Sequence, residues 1–113
     1  MERDVDFVIV LTFDANQKHS DIYKYLEEHK FSKKSLSHRD LPNNTYILQE
    51  KKGVEYNSNG TFNVKTAEAV SNKLALSHCE KLKGFFEENG ITGKIHAFVS
   101  RVDISSDSVS TVD

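Results

Sequence analysis

The residues best suited to chemistry gather in one short stretch, Ser37 to Gly53, reading SHRDLPNNTYILQEKKG. His38 is an imidazole able to move a proton, and Arg39 carries a permanent cation. General acid and base catalysis of phosphodiester cleavage calls for both, one group to move a proton and another to steady the charge developing on phosphorus. Asp14, at the end of an apolar run near the N-terminus, joins them, and His38, Arg39 and Asp14 form the expected catalytic set. Lys33, Lys34 and Arg39, followed by Lys51 and Lys52, supply the cations expected to hold a nucleic-acid backbone. The same stretch also reads as plain turn material, because Pro42, the only proline, fixes φ while Asn43 and Asn44 tolerate the left-handed region.

Other chemistries find less to work with. His19, His29, His38, His78 and His96 show no metal-site spacing, there is no CxxC, and no metal centre is expected. His78 lies on an apolar stripe and reads as a core or boundary residue, and His29 closes a helix where an imidazolium meets the dipole favourably. Cys79 shows no neighbour that would activate a thiol, and one cysteine cannot form an internal disulfide, which agrees with a reducing compartment. The glycines at 53, 60, 84, 90 and 93 make neither GxxxxGK nor GxGxxG, which excludes nucleotide hydrolysis by a phosphate loop, and no cofactor is expected.

Charge narrows the partners. Residues 1–101 carry all 15 Lys and Arg and 14 of the 17 Asp and Glu, a net +1, while residues 102–113 carry −3. A nearly neutral body lacks the broad basic surface of a duplex-DNA binder. The longest apolar run, Phe7 to Phe13, falls far short of the roughly 20 residues that cross a bilayer, and no charged, apolar, small-residue leader stands before it. No membrane partner and a cytoplasmic location are the expectations.

These residues need elements to position them. Asp6 to Asp14, DFVIVLTFD, sets Phe7, Ile9, Leu11 and Phe13 against Val8, Val10 and Thr12, the pattern of a central strand apolar on both faces. Ser20 is placed to cap a short helix that carries Ile22, Tyr25, Leu26 and His29 and ends near Phe31. Ser32 to His38, with Leu36 its only strong apolar residue, is expected as an edge strand, and Thr45 to Lys51 as its partner across the Pro42 turn. After a polar loop at Gly53 to Gly60, Thr66 is the expected cap of the longest helix, where Ala67, Val70, Leu74, His78, Leu82 and Phe85 or Phe86 recur three and four apart before Asn89-Gly90. GKIHAFVSRV, Gly93 to Val102, is the last strand.

Strand, helix, strand, strand, helix, strand is the ferredoxin-like βαββαβ order, an antiparallel sheet with two helices on one face. One domain over 1–103 and a disordered acidic tail over 104–113 are expected. The face without helices would leave Val8, Val10 and Phe98 half exposed, so a homodimer is expected there.

The strand FVIVLTFD with its terminal Asp14 and the six-element order are similar to those of the Cas2 nucleases, although no arginine lies in the first helix. The chain more closely resembles, over about residues 6–101, the type V antitoxin endoribonucleases of the GhoS family. The resemblance rests on His29-Lys30-Phe31 at the end of the first helix, the Leu41-Pro42 turn, Thr45-Tyr46 and the closing GKIHAFVSR. It implies a small RNA-binding protein that cleaves single-stranded mRNA in a toxin and antitoxin setting. The competing class is a non-enzymatic interaction protein, such as a phage or mobile-element inhibitor of a host defence complex, whose acidic tail competes for a basic groove on a protein partner.

Overall fold

A computed structural model describes residues 2–112. Met1 and Asp113, the first residue of the expected domain and the last of the expected tail, lie outside them. The chain is α+β, running β1 (Glu2–Ala15), α1 (His19–Glu28), β2 (Thr45–Glu55), α2 (Val64–Glu88), β3 (Gly93–Arg101) and a 3₁₀ turn (Val102–Ile104). Among the described residues the sheet has three strands in the order β2-β1-β3, with both neighbours antiparallel to β1.

β1 is central because both of its faces are apolar, as the alternation requires. Phe7, Ile9, Leu11 and Phe13 form one buried core with Ile22 and Leu26 of α1 and with Ala67, Leu74, Leu82 and Phe86 of α2. Both helices therefore cover the same face of the sheet. Pairing runs further than the alternation suggests, from Glu2 opposite Glu55 to Thr12 opposite Thr45, so Gly53 and Val54 belong to β2 rather than to a loop.

The helix starts differ from expectation. α1 begins at His19 behind Lys18, which has φ 58°, and no side chain caps it, so Ser20 lies inside the first turn. α2 is capped by Asn63, whose Oδ1 accepts the Thr66 N–H at 3.1 Å. Thr66, expected as the cap, is instead the capped residue, because an Asn three positions earlier offers the acceptor that an N-terminal N–H needs.

The expected edge strand Ser32 to His38 does not form. Its trace is one antiparallel bridge, Ser32 to Ile47, on the outer side of β2. Beyond Ser32 the segment folds back on itself through a second bridge, Lys34 to Asp40. A run with a single strong apolar residue gains little by lying on a sheet, and Ser35 binds the local backbone instead: its Oγ accepts the Arg39 N–H at 3.2 Å.

The open face is less bare than expected. Val8 is buried, at 4% exposure, while Phe98, opposite Val10 in the register, is 57% exposed. Past β3 the chain turns onto this face, since the Ser105 hydroxyl donates to Ser100 Oγ at 2.9 Å and Ser100 is the register partner of Val8. Residues 105–112 form neither helix nor strand, yet Asp107 reaches the turn at Leu36 and Ser37 beyond the far edge of β2. The helical face is filled, so this path crosses the open one and leaves the Val10 and Phe98 end uncovered.

Candidate functional site

The hairpin after α1 carries most of the residues singled out in the sequence. Ser35 closes its tip: the Ser35 N–H donates to the Arg39 carbonyl at 2.8 Å and the His38 N–H to the Ser35 carbonyl at 2.9 Å. His38 takes φ 62°, and its side chain is exposed. Arg39, also exposed, directs Nη1 toward the Val109 carbonyl at 3.5 Å. Lys33 donates to the Pro42 carbonyl at 2.6 Å and lies 5.3 Å from the Tyr46 ring centre, and burial lowers its pKa against the opposing pull of Asp40. Lys34 pairs with Asp40, whose carboxyl is held below its usual range by that bond and charge. Two of the expected backbone-binding cations are thus engaged within the hairpin.

Asp14 stands elsewhere. It pairs in register with Lys94 and, with His96, Asn43, Asn44 and Thr45, lines a shallow surface cleft of about 450 Å³ that includes neither His38 nor Arg39. Here β3 meets β1 closely: a Cβ on Gly93 would stand 1.8 Å from the Asp14 carbonyl oxygen. Lys51 and Lys52 separate as well, because neighbours on a strand point to opposite faces. Lys52, opposite Val5, lies on the helical face, and Lys51, opposite Asp6, on the open one.

That alternation assembles a site the sequence did not reveal. Leu48, Glu50 and Lys52, opposite Ile9, Phe7 and Val5, all face the helices. Glu50 meets His78 of α2, with Oε1 and Nε2 3.4 Å apart, and Lys52 Nζ lies 3.3 Å from the same carboxylate. The His78 side chain is only 10% exposed and packs edge-on against Phe31, with ring centres 5.4 Å apart. Burial pushes its pKa below the ordinary 6.5, Glu50 opposes this, and the Lys81 and Lys52 charges add to the lowering. The imidazole is therefore neutral at pH 7. Because a carboxylate only accepts, Glu50 assigns the proton to Nε2 and leaves Nδ1 as the basic nitrogen.

Two adjoining hollows share Glu50, His78 and Lys81. The larger, about 390 Å³, adds Lys52, Lys73 and Ser77. The smaller, about 180 Å³, is walled by Tyr25, His29 and Phe31. Tyr25 stands firm between the His29 and Phe85 rings, at 4.1 and 4.4 Å, and its hydroxyl donates to the Lys81 carbonyl at 3.3 Å. Burial and then Glu88 raise the Tyr25 pKa, so the phenol stays protonated. Cys79, next in sequence to His78, points instead toward the Ile95 carbonyl, and burial followed by Glu80 raises its thiol pKa.

His78 was legible as a residue on the inward stripe of α2. What gives it chemical interest is Glu50, 28 positions away on a strand, and only the alternation of β2 hinted that Glu50 faces inward. Among the described residues no three His, Cys, Asp or Glu side chains converge as a metal site would require, and no helix is long and apolar enough to cross a membrane. No protein family, curated protein or solved structure matches the chain.

Proposed function

We propose that this chain is a small RNA-binding protein of ferredoxin-like βαββαβ design, its second strand reduced to the Ser32 bridge, and that it cleaves RNA in the groove between β2 and α2. The observation that carries the reading is the neutral His78 held beside Glu50, with Lys52, Lys73 and Lys81 around the adjoining hollows. A neutral imidazole with a free nitrogen takes the proton of an RNA 2′-hydroxyl. The resulting oxygen attacks the adjacent phosphorus, the 5′-oxygen leaves, and a 2′,3′-cyclic phosphate results. The lysines offset the charge that grows on the phosphoryl oxygens. His38, expected to move the proton, has a poorer setting for it, since no carboxylate orients it among the described contacts. The GhoS-like layout points to the same substrate class.

The test is an RNase assay on single-stranded RNA with wild type, His78→Gln and His38→Ala, together with an oligonucleotide carrying a 2′-deoxy residue at the cleaved position. Loss of cleavage in His78→Gln with retained RNA binding, and none of the deoxy substrate cut, is the expected pattern. Equal cleavage by wild type and His78→Gln would remove the groove from the mechanism.

A second reading, a non-enzymatic protein that binds a second copy of itself or another protein, is favoured by the uncovered Val10 and Phe98 end of the open face. Sedimentation of wild type and Phe98→Ser at equal concentrations separates the two. Self-association abolished by the substitution, with RNA left uncut, would put this reading first.

A further inference from the structure

We propose that the Ser35 to Arg39 turn is a phosphate-binding nest whose place is held in this structure by the chain's own Asp107. Two consecutive backbone N–H groups converge there on one carboxylate: Leu36 donates to Asp107 Oδ2 at 2.7 Å and Ser37 to Oδ1 at 3.1 Å. Neither group serves the turn itself, which is closed by Ser35 and His38 N–H bonds. Successive N–H groups aimed at one point form a concave anion receptor, the arrangement by which backbone holds phosphate without any lysine.

The surrounding side chains suit the same ligand. Ser35 is buried, and its Oγ lies 2.8 Å from Ser37 Oγ, so two hydroxyls are held at the rim. Burial works against the Asp107 carboxylate, but the Leu36 bond, the Ser37 hydroxyl and N–H and the Ser35 hydroxyl outweigh it and hold its pKa below the usual range. The site thus prefers an anion to a neutral acid. Arg39 spends its guanidinium on a distant carbonyl contact to Val109, a weak use for a group that binds phosphate in two-pronged fashion. Inorganic phosphate has four oxygens to a carboxylate's two, and Arg39 is the donor that would take one of the others.

Asp107 is tethered, so it competes as an intramolecular ligand at an effective concentration of about millimolar. The −3 tail then acts as a removable occupant. This site is separate from the Glu50 and His78 groove, and the inference stands whether or not RNA is cleaved there.

The experiment is amide NMR on the full chain, titrating inorganic phosphate and, separately, hexauridylate into wild type, Asp107→Asn and Asp107→Asn/Arg39→Ala. In Asp107→Asn the Leu36 and Ser37 amides should shift and saturate at a phosphate concentration roughly tenfold below that for wild type, and the added Arg39→Ala should raise it again. Saturation by inorganic phosphate assigns a small phosphate ligand, and saturation by hexauridylate alone assigns a phosphate of the RNA backbone. If neither probe moves these amides in Asp107→Asn, the nest serves only to dock the tail and the proposal fails. Should the substitution broaden the turn, wild type decides: excess phosphate must move the Leu36 and Ser37 amides and release the Asp107 amide toward its random-coil position, and no movement overturns the proposal.

Discussion

Leu82 and Leu76 are the same residue type on the same helix, yet Leu82 is 1% exposed and Leu76 63%. Replacing each by alanine removes three carbons. At Leu82 those carbons lie in the core with Leu11 and Phe86, so the loss is about 0.8 kcal/mol for each buried carbon plus a cavity term, in all about 2–5 kcal/mol. At Leu76 they leave water for water, and alanine favours helix slightly, so the change should stay within about 0.5 kcal/mol. Against a total stability of about 5–15 kcal/mol the contrast is large. Urea unfolding followed by far-ultraviolet circular dichroism measures both variants. The comparison bears on the site because Leu74, His78 and Leu82 stand four apart on one stripe of α2, so the rotation that buries Leu82 also brings His78 to Glu50. Equal losses in the two variants would mean that α2 presents another face, and the His78 contact would fall with it.

Two further outcomes test the same geometry. Because His78 is held below its ordinary 6.5, by burial first and against the pull of Glu50, the unfolded chain takes up the proton before the folded one as pH falls. Thermal melts should therefore show this contribution whole above pH 6.5 and lost progressively below it, and His78→Gln should flatten that part of the profile; parallel profiles would refute it. Gly93→Ala should destabilise by about 1–3 kcal/mol in the same urea assay, because its Cβ would meet the Asp14 carbonyl oxygen at 1.8 Å and backbone must give way; an unchanged midpoint would show that β3 starts further from β1.

How far the sequence reached follows from which signals are local. β1, β2 and β3 were legible because alternation is written in consecutive residues, and α2 because its apolar stripe recurs over 25 residues. Its cap was misplaced by three residues, since Asn63 and Thr66 both belong to the capping set and only geometry chooses the acceptor. The edge strand was misread for a deeper reason: Ser35 bonds Ser37 and the local backbone and Asp40 pairs with Lys34 within the hairpin, and a propensity reading does not weigh that local alternative against a distant partner. Lys51 and Lys52 looked like one cationic patch because adjacency in sequence was taken for adjacency in space. The Glu50 and His78 pair and the Asp107 contact join residues 28 and 70 or more positions apart, and nothing in a single sequence ties such pairs together.

The failed edge strand is also what frees the turn that receives Asp107. Had the segment continued from its antiparallel bridge to Ile47, Lys33 and Lys34 would have lain opposite Tyr46 and Thr45, away from Glu50 and Lys52, so the hollows beside His78 do not depend on its loss. Its own N–H groups would have entered a ladder with β2. Released from the sheet, the segment bends at Ser35, and the Leu36 and Ser37 N–H groups turn outward to a charged acceptor. An unpaired outer edge is ordinarily a route to aggregation, which charged residues on the strand suppress. Glu50, Lys51 and Lys52 follow one another on that edge, and the alternation of β2 sends two of the three into the groove and one to the open face. Charges that protect an open strand thus become, through the pleat alone, the ionic surroundings of a half-buried histidine.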